Sequence, residues 1–180
     1  PLPQRLPGVS RQGVLLPGPR GPDILDHLSV HVLVRTLQHA IRELKVSDTN
    51  AAVCCVYPTA VLLSPDSLRR SFQLLQQNPS VFVVPVQQFS HPITRAMRIR
   101  DNKLEPLNAE MATARTQDCD DFVHDAGQFY WGTVSSWQSD LPILGTSAVP
   151  FRISICEGLD VDTPDDWKLL EALIKYREAN

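Results

Sequence analysis

A chain of 180 residues suits one domain with a sizeable core. With 43% hydrophobic and 21% charged residues it has a soluble globular mix, and its formal net charge of −3 excludes the basic excess that a nucleic-acid polymer attracts. No apolar run approaches the roughly 20 residues that span a bilayer, and no basic-then-apolar leader is present, so no membrane association is expected. Cys54, Cys55, Cys119 and Cys156 lack CxxC spacing, and they read as reduced thiols of a cytoplasmic protein rather than as a zinc site.

The first segment, PLPQRLPGVSRQGVLLPGPRGP, holds six of the 15 prolines and four of the 8 glycines. Proline removes backbone donors and glycine adds chain entropy. Residues 1–25 are therefore expected to be irregular, and residues 26–180 to form one α/β domain. The segment also starts without Met, which reads as a fragment whose natural start lies upstream or was lost.

From Leu28 the pattern becomes regular. Leu33, Leu37, Ala40, Ile41 and Leu44 recur at helical spacing, and KVSDTN follows as a loop. AAVCCVY is a continuous apolar run of strand length, which suits a strand buried on both faces of a parallel sheet. Ser64-Pro65-Asp66 starts a helix: Ser caps, Pro fits the first turn, and Asp complements the positive helix end. Leu68, Phe72 and Leu75 mark its inner face, and Asn78-Pro79 ends it. SVFVVPV is a second buried strand, so Ala51 to Val86 predicts a strand–helix–strand unit.

MRIRDNKLEPL predicts a hairpin turning at Asp101-Asn102. Gln117 to Val123 predicts a short polar helix, FYWGTV a third core strand, and PFRISI a further strand. Thr163-Pro164-Asp165-Asp166 starts a last helix with Trp167, Leu170, Leu173 and Ile174 inward. The fold class expected is α/β: a three-layer α/β/α sandwich on a mostly parallel sheet with a small antiparallel insertion.

Ligands of open α/β sheets sit at the carboxyl ends of the strands, and three polar clusters are candidates there. Tyr57-Pro58-Thr59-Ala60 follows the first strand; its turn can offer backbone amides and a hydroxyl to a nucleotide, or simply lead into the helix. RTQDCDDFVHDAGQFYWG, Arg115 to Gly132, carries Arg115, which suits a carboxylate or phosphate, and His124-Asp125 before the small turn Ala126-Gly127. It reads equally as a helix, a turn and a buried strand. In GLDVDTPDDW, Asp160 and Asp162 face one way if extended, the oxygen pair that Mg2+ takes together with water and phosphate. The competing reading is a helix start, with Thr163 capping and Asp165 and Asp166 facing the helix dipole. The two use different residues, so both can hold.

At CCVYPTAVLL, FSHPITRAM, RTQDCDDFVHDAGQFYWG and LDVDTPDDW the sequence resembles the acylneuraminate (nonulosonic acid) cytidylyltransferase family, from about Asp26 to Tyr176. The resemblance implies transfer of CMP from CTP to a nonulosonic acid of the pseudaminic acid type, with Mg2+ and release of pyrophosphate. It implies that Asp160 and Asp162 are catalytic and hold the metal, and that Tyr57, Pro58 and Thr59 lie by the nucleotide. Arg95, Arg115, Gln117, His124, Asp125 and Gln128 would face the sugar acid. A homodimer joined through the hairpin insertion is also implied.

The match departs at its start. The family's first strand leads into a Gly- and basic-rich loop that grips the triphosphate, and this chain has neither. PGVSRQG and LPGPRGP share only the composition of that loop, and Arg20-Gly21-Pro22 and Asp26-His27 stand where an Arg-Pro and paired-Asp region is expected. A sheet without its first strand and a chain that does not bind CTP normally by itself are the consequences expected. A cytidylyltransferase for another sialic-acid-like sugar and a non-catalytic binding or dimerisation remnant remain as alternatives.

Overall fold

The computed structural model describes residues 30–179; the segment 1–25, Arg20-Gly21-Pro22 and Asp26-His27 lie outside them. The chain divides into two compact units, Pro1–Val46 and Ser47–Asn180. No helix among the described residues is long and apolar enough to cross a membrane. In the first unit, α1 (Val30–Glu43) carries the expected stripe, with Ile41 buried and Leu33, Leu37 and Ala40 half-buried. It ends at Lys45, whose φ of 51° closes the last turn as a left-handed residue, with the Val46 N–H on the Ile41 carbonyl.

The second unit runs β1 (Ala52–Val56), α2 (Pro65–Gln77), β2 (Val83–Gln88), β3 (Met97–Arg100), β4 (Lys103–Pro106), β5 (Val123–Asp125), β6 (Phe129–Thr133), α3 (Val134–Gln138), β7 (Val149–Arg152) and α4 (Pro164–Glu178). The main sheet has the order β1-β6-β2-β5, with β7 also on β2. The α/β class stands, but the expectation of a mostly parallel sheet does not. β1–β6, β2–β6 and β2–β5 are antiparallel, and β2–β7 is the parallel pair. The strand–helix–strand unit exists, yet β6 is inserted between β1 and β2. Continuous apolar runs explain the difference: β2 is buried along nearly its whole length, and burial on both faces reports covering layers, not strand direction. β1 forms one edge, with no partner on its outer side among the described residues.

Helix α2 starts as its residues dictate. The Ser64 hydroxyl accepts the Ser67 N–H at 3.0 Å, with Pro65 and Asp66 in the first turn. Leu75 is buried, and the small Ser71 lets the Trp131 indole N–H reach its hydroxyl at 3.0 Å. Leu75, Val83, Ala126, Phe129, Phe151 and Ile153 form the core, contributed by α2, β2, β6, β7 and the chain beside them.

The hairpin β3–β4 turns at Asp101 and Asn102, both left-handed (φ 48° and 60°), a conformation Asp and Asn tolerate best among residues with a side chain. Two expectations are corrected. Gln117 to Val123 is not a helix: a single 3-10 turn, Thr116–Asp118, gives way to extended chain, and Val123 is taken up by β5 against β2. In α4 Leu170 is buried but Trp167 is 57% exposed, its indole N–H donating to Glu171 on the same helix.

Candidate functional site

Strand direction builds the site. β1, β2 and β7 run one way and β5 and β6 the other, so the carboxyl ends of the first three meet the amino ends of the last two. Tyr57, the His124–Gln128 stretch and the Ser154–Asp162 segment therefore share one edge of the sheet. In a wholly parallel sheet, the residues preceding β6 would lie at the opposite end. Along β2, Val86 faces Asp125 and Val83 faces Trp131, so the chain between β5 and β6 bulges at Ala126–Gln128. Gly127 takes φ +59° there, and a Cβ on it would lie 4.0 Å from Asp160 Oδ2.

A cleft of about 230 Å³ opens at this bulge, walled by His124, Asp125 and Ala126 on one side and Ile155, Gly158, Leu159 and Asp160 on the other, with Gln87 between. Asp125 is held firmly: Oδ1 accepts the Gly127 N–H at 3.0 Å, and Oδ2 accepts the Tyr130 hydroxyl. Tyr130 in turn meets Tyr57, edge to face at 5.8 Å and hydroxyl to hydroxyl. Burial, then Asp125, pushes the Tyr130 hydroxyl far up, and burial first raises that of Tyr57, so both stay protonated. His124 Nδ1 lies 2.8 Å from the Asp125 carbonyl oxygen. A carbonyl only accepts, so Nδ1 carries a proton, and in the neutral ring Nε2 is then an acceptor. Gln128 is fully buried; its amide N–H groups reach the carbonyls of Ala126 (3.1 Å) and Leu159 (3.4 Å), stitching the bulge to the acidic segment.

In that segment the helix start and the candidate metal pair separate cleanly. Thr163 and Asp166 form a capping box: the Thr163 hydroxyl accepts the Asp166 N–H, and Asp166 Oδ2 accepts the Thr163 N–H at 2.8 Å and also takes the Asp162 N–H at 3.3 Å. Asp166 is thus occupied, as is Asp125. Asp160 and Asp162 are left as an exposed carboxylate pair, with Asp160 Oδ1 on the Val161 N–H. Burial first, then the Asp162 charge, raises the Asp160 carboxyl above the ordinary carboxylate range, with Asp166 and Asp125 adding smaller pushes. The donor set suits Mg2+: two hard carboxylate oxygens, crowded with like charge, and no third protein ligand completing a cage among the described residues.

Other expected site residues fall elsewhere. Pro58 and Thr59 lie in the turn after β1 and line no cleft described here. The amides of Tyr57, Ala60, Val61 and Leu63 are taken by backbone carbonyls, of Gln128, Tyr57, Thr59 and Ala60 respectively. The N-terminus of α2 is occupied as well, since Glu157 Oε1 accepts the Ser64 N–H at 2.7 Å. Arg115 pairs with Asp118 at 2.9 Å on the surface, Gln117 is exposed, and Arg95 reaches the Thr116 hydroxyl at 3.4 Å. A second cleft of about 370 Å³, walled by Phe89, His91, Ile93, Thr116, Asp120 and Phe122, shares Ile155 with the first; of the three, only Arg95 touches its wall, through Thr116. Three buried or half-buried groups escaped the sequence reading: Tyr130, which holds Asp125; Gln87, whose amide donates to the Ser154 carbonyl at 2.8 Å; and Glu157. The signal available for them was only polarity inside apolar strands or beside a glycine.

Fold and edge together define an α/β domain with an acidic cleft at its strand ends. No family model matches the chain. Over 129 residues, 71% of the chain, it is 32% identical to a curated pseudaminic acid cytidylyltransferase of Campylobacter jejuni subsp. jejuni serotype O:2, and equally to the protein of that name from serotype O:23/36. The chain is thus similar to these two proteins over that stretch, and it spans 56% of the length of each.

Proposed function

We propose that this chain carries the metal and sugar side of a CTP-dependent cytidylyltransferase that activates a nonulosonic acid of the pseudaminic acid type, releasing pyrophosphate. The observation that carries the proposal is the pairing of Asp160 and Asp162 beside the cleft formed by His124, Asp125 and Gly158. Asp160 and Asp162 would hold Mg2+, which when bound offsets the charge that builds on the phosphates. Asp125, fixed through Tyr130 and Gly127, shapes the wall. His124 presents Nε2 as an acceptor for a sugar hydroxyl. The adjoining cleft, where Arg95 reaches the wall residue Thr116 and Arg115 and Gln117 flank Thr116 in the chain, is the place for the sugar acid, whose carboxylate suits a guanidinium. In a homodimer the exposed Met97, Ile99, Leu104 and Leu107 of the hairpin are the surface to cover.

The chain incubated with CTP, Mg2+ and pseudaminic acid is expected to release pyrophosphate, and Asp162→Ala to lower the rate by about 10²-fold or more. Neuraminic acid in place of pseudaminic acid tests the sugar. One observation favours the non-catalytic alternative: no Lys or Arg is among the residues walling the acidic cleft. Without a basic loop a triphosphate meets only carboxylates there. Absence of both turnover and CTP binding would select that alternative.

A further inference from the structure

We propose that Glu157 is a positioning residue that locks the turn after β1 to the acidic segment after β7, so that Tyr57 to Ser64 and Asp160 to Asp162 keep one arrangement. The inference rests on the metal-and-nucleotide reading above and deepens it. Glu157 is only 9% exposed, and both its oxygens cross to α2: Oε1 accepts the Ser64 N–H at 2.7 Å and Oε2 the Ser67 hydroxyl at 2.9 Å. A buried carboxylate without partners is strongly disfavoured, so these bonds define where it sits. A carboxylate also matches the positive end of a helix.

Rigidity on both sides makes the tie informative. On the acidic side, the Ser154 carbonyl accepts the N–H groups of Glu157 and Gly158, both at 3.0 Å, and the Gln87 amide at 2.8 Å. Gly158 has no room for a side chain, since a Cβ would collide with the Gln87 amide and with Ile153. Asp160 follows two residues later. On the other side, the Arg177 guanidinium holds the Leu62 carbonyl at 2.6 Å, and the Tyr57 N–H holds the Gln128 carbonyl at 2.9 Å. Two short, internally braced segments are thus joined through one side chain. A simple helix cap would matter to α2 alone.

Hydrogen exchange of the full chain, without nucleotide, separates these possibilities, with Glu157→Ala, Glu157→Gln and Ser67→Ala compared. Ser67→Ala removes one bond from the α2 side while leaving every residue near Asp160 unchanged. Exchange at the buried Gly158 amide, which donates to the Ser154 carbonyl, is expected to rise about 5–10-fold in Glu157→Ala and about 2–5-fold in Ser67→Ala. Glu157→Gln, which keeps shape and the Ser64 bond, is expected to stay near the parent. Exchange that rises only in the first turn of α2, with the Gly158 amide unchanged, would overturn the proposal. If Glu157→Ala does not fold, Ser67→Ala decides. CTP titration with Mg2+ forms a second arm, in which Ser67→Ala is expected to weaken binding about 3-fold or more. A parent chain that binds no CTP refutes the functional reading, whereas the exchange arm still decides Glu157.

Discussion

Asp160 and Asp162 are two residues whose placement costs the fold something. Burial, then the charge of Asp162, raises the Asp160 carboxyl, and such perturbed carboxylates cluster at ligand sites. Asp162→Asn is therefore expected to raise the melting temperature by about 1–2 °C in the absence of divalent cation. It should also abolish the stabilisation that Mg2+ confers on the parent. Thermal denaturation with and without Mg2+ measures both, and a variant that is less stable and still responds to Mg2+ would contradict the metal role. Gly158 tests the scaffold beneath. A methyl group there lies 2.7 Å from Ile153 Cδ1 and 2.8 Å from Gln87 Cδ, so Gly158→Ala is expected to cost about 1–3 kcal/mol in chemical denaturation.

At the scale of elements, helix starts were the most legible features. Ser64-Pro65-Asp66 and Thr163-Pro164-Asp165-Asp166 work through local chemistry, and the structure shows both caps formed. Thr163→Ala is expected to lose about 1 kcal/mol and lower the melting temperature by about 2–4 °C. The cap is also sensitive to acid. The Thr163 hydroxyl, then the Thr163 and Asp162 N–H groups, hold the Asp166 carboxyl below its ordinary value of 3.8. A lowered folded-state value means that the contribution is complete above 3.8 and is lost as pH falls through the folded value. The stability gap between the parent and Asp166→Ala should therefore narrow as pH falls below about 4, which urea titrations at several pH values would show. The hairpin turn was equally readable, because Asp101-Asn102 carries its backbone preference locally. The segment after Gln117 was not, because β2 captures Val123 through pairing across 35 residues, which no local pattern records.

For the whole molecule, strand direction was the hidden variable. Apolar runs announced the burial of β2 and β6 but overstated it for β1, whose two ends are exposed, and the sheet order that slots β6 between the other two depends on long-range register. That same antiparallel insertion carries His124, Asp125 and Gln128 to the edge where Tyr57 and Asp160 end up. The acidic pair and the HDAG turn were legible as polar clusters. Glu157, Gln87 and Tyr130 were not, since each acts through a partner distant in sequence or through burial. Among the described residues, the outer edge of β1 and the apolar residues of the hairpin stand exposed. Calorimetric titration of CTP into the chain is the most direct test of the site. Binding is expected that requires Mg2+ and falls about 10-fold or more in Asp162→Asn. CTP binding that is indifferent to Mg2+ and to Asp162, or no binding at all, would contradict the assignment of this cleft.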